Sequence, residues 1–292
     1  MPGFFLSIVL TLIGFIGFGQ AAAIAQSLIM PLKEVRAGQK AIGRTVFAGG
    51  NVEDFQVEIL GVLENLGPKQ SLILGRLSGG PLSETGVMAG MSGSPVYIDG
   101  KLAGAVALAF PFSKQAIAGI RPIEEMLAAT VPQASPRAAV DSPFDTRWLD
   151  KLPGPLAVNA GGSRMIEVAT PVSFAGFTRG TLEQFTPQLE ALGLSPRQGQ
   201  SGGAVRAGGP LGDPSKLEPG SMISVQLMSG DMTVGADGTV TRIDGTRIWA
   251  FGHRFLDAGP TEMPFARAEV ITLLPSLNNS FKISAAKEWM GV

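Results

Sequence analysis

The stretch Gly90-Met91-Ser92-Gly93-Ser94-Pro95 sets two hydroxyls among two glycines and a proline, directly ahead of the strand-like run Val96-Tyr97-Ile98. Serine attack on a carbonyl needs a free hydroxyl, a base within hydrogen-bond reach, and donors aimed at the developing oxyanion. Gly90 and Gly93 permit a tight turn in which the backbone N–H groups of Gly90 and Ser92 converge on one oxygen. A hairpin could require the same glycines for its turn geometry alone. The base must come from elsewhere, and the chain has a single histidine, His253, held in Trp249-Ala-Phe-Gly-His-Arg-Phe255. Gly252 marks a strand end there and leaves the imidazole room to face a cleft. A rival serine, Ser201, sits in Gly-Gln-Ser-Gly-Gly and satisfies G-x-S-x-G formally. That motif works between a strand and a helix, and neither flank of Ser201 fits, so it reads as a flexible loop. An esterase working through Ser201 would stay active without Ser92.

These groups must be positioned by strands. Residues 44–50 and 54–63 are rich in β-branched and aromatic side chains, residues 71–77 read as a buried strand, and Asp99-Gly100 is a two-residue hairpin signal between 95–98 and 101–110. Residues 122–130 form a short helix with Pro122 at its start. Proline, serine, alanine and aspartate then take over, giving a linker at 136–155 between a serine-bearing β segment (26–135) and a histidine-bearing one (156–292). In the second segment 181–193 is helix-like with Pro187 inside it, and 221–230, 231–243 and 246–253 read as successive strands. Asp244-Gly245 is a second hairpin signal; pairing outward from it sets Ala236 opposite His253, with Asp237 one residue off register.

Composition excludes several classes. The 292 residues carry no cysteine and one histidine, which removes zinc fingers, thiolate catalysis and multi-histidine metal sites. Asp213, Asp231, Asp237 and Asp244 lack calcium-loop spacing, so neither a metal nor another cofactor is called for. A net charge of −1 offers no footprint for nucleic acid. Residues 1–25 are an apolar stretch with small residues at its exit, readable as a signal peptide cleaved after Ala23 or Ala25 or as an uncleaved N-terminal anchor. No lysine or arginine precedes Lys33. Either way the bulk of the protein is expected to be exported, periplasmic or extracellular, touching a membrane only through that segment.

The run GMSGSPVYIDGKLAGAVA followed by AGIRPIEEML resembles the SpoIVB peptidase family (S55), secreted bacterial serine endopeptidases grouped with the chymotrypsin-like proteases. Residues 41–63 and 235–264 look like further parts of the same domain. The resemblance implies Ser92 as nucleophile, His253 as general base, and an oxyanion hole at the N–H groups of Gly90 and Ser92. It implies a mostly β fold, a two-barrel chymotrypsin-like architecture with few short helices and the site in the cleft between the barrels. The substrate would be a protein or peptide, the chain itself included. Three features depart from the family. Serine precedes histidine, as though the halves were permuted. Where the family carries an aspartate about fifteen residues before the serine, this chain has Ser78 and glycines, leaving the third triad member unassigned among Asp237, Asp257 and Glu262, or absent in a Ser–His dyad. The ending SFKISAAKEWMGV breaks off in a strand-like run, as in a truncated chain with an exposed edge. The missing aspartate keeps open a second reading, a catalytically inactive barrel that binds peptides or envelope proteins.

Overall fold

The computed structural model describes residues 28–67, 70–128, 156–160, 163–199, 210–256 and 262–292. The leader (1–25), the linker (136–155), Ser201 and Asp257 lie outside the described residues.

The first half is a closed barrel. Strands β1 (Lys40–Val46), β2 (Val52–Gly67), β3 (Gln70–Ser78), β4 (Pro95–Ile98), β5 (Lys101–Ala109) and β6 (Ile117–Pro122) pair in the order β4-β1-β2-β3-β6-β5, and β5 pairs back to β4. Closure leaves none of these six strands with two unpaired edges. The alternating burial of β1 and β2 fills the interior with Ala41, Phe55, Val57, Ile59, Ile73, Val96, Val106 and Ile120. Asp99 and Gly100 both adopt positive φ and join β4 to β5 with Ile98 paired to Lys101, the predicted two-residue turn. Helix α1 (Leu82–Thr85) leads toward the serine turn, and α2 (Ile123–Ala128) follows Pro122 where the sequence expects a helix. The carboxylates of Glu124 and Glu125 accept from the amides of Leu32 and Ser71.

Strands β7 (Ala157–Ala160) and β8 (Ser163–Glu167) extend this first sheet from β5. The second sheet begins at β9 (Thr170–Ala175) and runs β10-β9-β12-β11-β14-β15, with β10 (Leu194–Gln198), β11 (Met222–Met228), β12 (Thr233–Asp244), β14 (Phe265–Leu274) and β15 (Phe281–Gly291). Strand β13 (Arg247–Ala250) pairs with β12 alone. The ends of the path approach each other, because the Arg197 guanidinium of β10 lies 4.2 Å from the ring centroid of Phe281 on β15. Helix α3 (Arg179–Ala191) carries Pro187 inside it and is capped by Thr178, whose hydroxyl accepts from the Thr181 amide. The fold is thus mostly β, two-barrel in architecture, with few helices. No helix among the described residues is long and apolar enough to cross a membrane.

One register expectation fails. Asp244 pairs with Arg247 and Ile243 with Ile248, so Gly245 and Thr246 form the turn rather than Asp244-Gly245, and the register slips again between Val240 and Arg242. Ala236 instead pairs with Val225 and Val172, deep in the second sheet. The strand stops at Ala250 because Phe251 and Gly252 both take positive φ and turn the chain away.

Candidate active site

The site gathers on β5, whose sequence Lys-Leu-Ala-Gly-Ala-Val-Ala-Leu-Ala presents small side chains at its centre. Three segments remote in sequence dock there. The serine turn comes first: the Gly93 amide donates to the Val106 carbonyl at 2.8 Å, and the Val106 amide donates to the Ser94 carbonyl at 2.9 Å. Strand β8 is second, with Glu167 paired to Leu108 and the Val168 amide donating to the Ala107 carbonyl at 2.8 Å. The histidine loop is third. A Cβ on Gly252 would stand 2.6 Å from the Val106 carbonyl oxygen and 3.2 Å from the Gly93 nitrogen, so only glycine allows this approach. The residue after Ser92 therefore touches the residue before His253.

Strand β12 clamps the serine turn from the other side. The Thr239 amide donates to the Ser92 carbonyl at 2.9 Å, the Thr239 hydroxyl to the Gly90 carbonyl at 2.8 Å, and the Thr241 hydroxyl to the Gly93 carbonyl at 2.7 Å. Gly93 has φ +92, and a Cβ there would lie 2.0 Å from the Thr239 carbonyl oxygen. With its carbonyls tied back, the turn leaves the amides of Gly90 and Ser92 without an acceptor among the described residues. That is the condition an oxyanion hole requires.

Ser92 and His253 carry complementary vacancies. Ser92 Oγ is shielded from solvent and has no hydrogen-bond partner. His253 Nε2 is likewise shielded and makes no hydrogen bond of good geometry, with the Val168 carbonyl near the ring. The other ring nitrogen, Nδ1, lies 2.7 Å from the Arg254 carbonyl; it donates there, which leaves Nε2 as the proton acceptor. Burial pulls the imidazole below its ordinary value near 6.5, while the charge of Glu167 pushes back toward protonation, Arg121 pulls down, and the Arg254 and Val168 carbonyls raise it. The ring is thus neutral at neutral pH. Phe251 fixes the loop beneath it: its amide reaches the Thr239 carbonyl at 3.2 Å and its ring stacks on Phe255 with centroids 4.7 Å apart. Holding a bulky aromatic at φ +66 stores backbone strain at this point.

Among the described residues, which do not include Asp257, the acidic group acting on His253 is not one named from sequence. Asp237 accepts from Ser284 at 2.6 Å and from Ser224 inside the second barrel, which directs its carboxylate away from the histidine loop. Glu262 is exposed, as is Ser78 at the end of β3. Glu167 supplies the field instead. It is 9% exposed, and Arg121 ties it in, with Nη2 3.8 Å from Glu167 Oε1 and Nε donating to the Gly252 carbonyl at 2.8 Å. Two signals could have found the pair: Glu167 is the lone charge in Met165-Ile-Glu-Val-Ala-Thr-Pro-Val172, and Arg121 interrupts an apolar strand. No group of three or more acidic or histidine side chains able to hold a metal occurs among the described residues.

A cleft of about 750 Å³ opens beside this cluster. Glu167 and Val168 line it together with Phe110 and Phe112 from the first barrel and Leu277 and Ser280 from the turn between β14 and β15.

Residues 18–127 match the family model of the SpoIVB peptidase S55 family. The matched segment contains the serine turn, β5 and Arg121, and ends before Glu167, β12 and His253. The match supports a peptidase function with proteins as the substrate class. Comparison with curated proteins and with solved structures gave no match.

Proposed function

We propose that the chain is an exported serine endopeptidase in which Ser92 is the nucleophile and His253 the general base. The observation that carries this reading is the pair of unpartnered, shielded atoms, Ser92 Oγ and His253 Nε2, on segments that touch through Gly93 and Gly252. In the reaction His253 Nε2 takes the Ser92 proton as Oγ bonds to the scissile carbonyl carbon. The oxyanion forms against the amides of Gly90 and Ser92. Collapse breaks the C–N bond, His253 returns the proton to the leaving amine, and water attacking the acyl-enzyme repeats the sequence. Glu167 takes the place of an orienting acid through its field, favouring the imidazolium that forms in the transition state. The Arg254 carbonyl sets the tautomer.

Export follows from the leader-like residues 1–25. A second reading, an inactive barrel that binds peptides, is favoured by one observation: Ser92 has no exposed surface and no hydrogen bond to His253 in this state.

A fluorophosphonate probe separates the two. Label located on Ser92 by mass spectrometry, and lost in both Ser92→Ala and His253→Ala, supports the peptidase. Folded protein that takes no label supports the binding module, and label surviving Ser92→Ala would move the chemistry to Ser201.

A further inference from the structure

Lys282 is 1% exposed, and no carboxylate among the described residues pairs with it. It lies under the serine turn and touches that turn at both ends. Its amide donates to the Ala89 carbonyl at 3.1 Å, while the Ala89 amide donates to the Ser280 carbonyl at 2.8 Å, so β15 runs beside the approach to the turn. Its methylenes press on Gly90, with Cδ 3.2 Å and Cβ 3.4 Å from where a Cβ on that glycine would stand. Its Nζ then reaches across to donate to Thr45 Oγ1 at 2.6 Å, and the same oxygen accepts from Ser94 Oγ at 3.1 Å. Thr45 and Ser94 are both fully buried.

We propose that Lys282 is a positioning residue for the Ser92 turn, strapping its two ends together through Thr45 and Ser94. The consequence for catalysis rests on Ser92 being the nucleophile; the strap itself does not. A buried amine without a counter-ion is costly, and an apolar side chain of the same length would suit the surrounding core better. Among the described residues its side chain has one polar contact, Thr45, which leads to the residue two places after Ser92. As an ammonium, Nζ is a strong donor to Thr45 and leaves that oxygen a second lone pair for Ser94. The charged group whose field reaches it is Glu53, cross-strand from Thr45 on β2; β14 presents Leu273 and the turn presents Gly90, neither of which titrates. Burial pulls the amine down to about 7, so its ammonium form is the one that burial disfavours.

The test couples hydrogen exchange to Ser92 labelling in wild type, Lys282→Met, Thr45→Val and Thr45→Ser. At pH 6.5, Lys282→Met and Thr45→Val should speed exchange in the peptide spanning 88–95 by about tenfold and leave peptides from β2 and β3 unchanged, whereas Thr45→Ser keeps the hydroxyl and stays near wild type. Labelling by the fluorophosphonate should slow about as much in the first two variants. Unchanged exchange at 88–95, or an equal rise in every peptide, overturns the strap. The predicted exchange pattern with no label on wild-type Ser92 leaves the strap standing and sinks the catalytic reading. Thr45→Val keeps the test decisive if Lys282→Met does not fold.

Discussion

The two barrels solve opposite problems. The first closes through β4 and β5 around apolar side chains, and of its buried polar residues, Thr45, Ser92, Ser94 and Glu167 sit where the second barrel or the site meets it, while Thr85 bonds within its own helix. The second sheet is an open path, and its interior holds Ser224, Asp237, Thr239, Thr241, Lys282 and Ser284. Hydrophobic closure makes a stiff frame on which a nucleophile can be carried. Polar side chains in the other half are what reach over to tie that nucleophile's turn in place. The difference assigns stability to one half and registration of the site to the other.

The sharpest way to break that division is at the chemistry itself. Ser92→Ala or His253→Ala should lower peptidase activity by about 10⁴-fold or more with little change in melting temperature, measured by turnover and calorimetry on one sample. Next in size is the frame. Ile120→Ala, in the first barrel, should cost about 2–5 kcal/mol in urea unfolding, independent of pH, because it removes only apolar contacts and leaves a cavity. Gly252→Ala should cost about 3 kcal/mol and most of the activity, since its Cβ would press on the Val106 carbonyl at a positive φ.

Two buried groups of the second half should dominate the acid and base behaviour. Burial pushes Asp237 up to about 6 from 3.8, so between those values the native state holds more protons than the unfolded chain, and stability falls as pH rises. Burial pushes Lys282 down to about 7 from 10.5, so between those values the unfolded chain holds more protons, and stability rises with pH. Melting temperature should pass through a minimum between these two values. Asp237→Asn should flatten the acidic slope and Lys282→Met the alkaline one; a single maximum near neutrality in wild type would refute both assignments. The smallest effect belongs to the clamp. Thr241→Val should cost about 1 kcal/mol of stability while lowering Ser92 labelling more than that loss explains.

Much of the frame could be read in advance because local chemistry specifies it. Asp99-Gly100 fixed a turn through two positive φ values, and the alternation in β1 and β2 fixed their inner faces. The serine turn was legible for the same reason. Asp244-Gly245 misled, since Gly245 and Thr246 took the turn and a bulge shifted the rest, and a register built by counting inherits every such slip. Glu167 and Arg121 escaped because what makes them important is docking on β5, a non-local event. Lys282 escaped more completely: a lysine in a strand-like run reads as a solvated face, and only the closure of β15 under the turn buries it.

The convergence of three segments on β5 also has a consequence in time. The Gly93 and Gly252 contacts join parts of the chain about 160 residues apart, and pairings of such separation form late because long loops must close first. A ribosome delivers the serine turn long before the histidine loop. On the proposed reading, Ser92 lacks His253, its clamp and the field of Glu167 during synthesis, and the growing chain is harmless to itself and its neighbours until the histidine loop arrives.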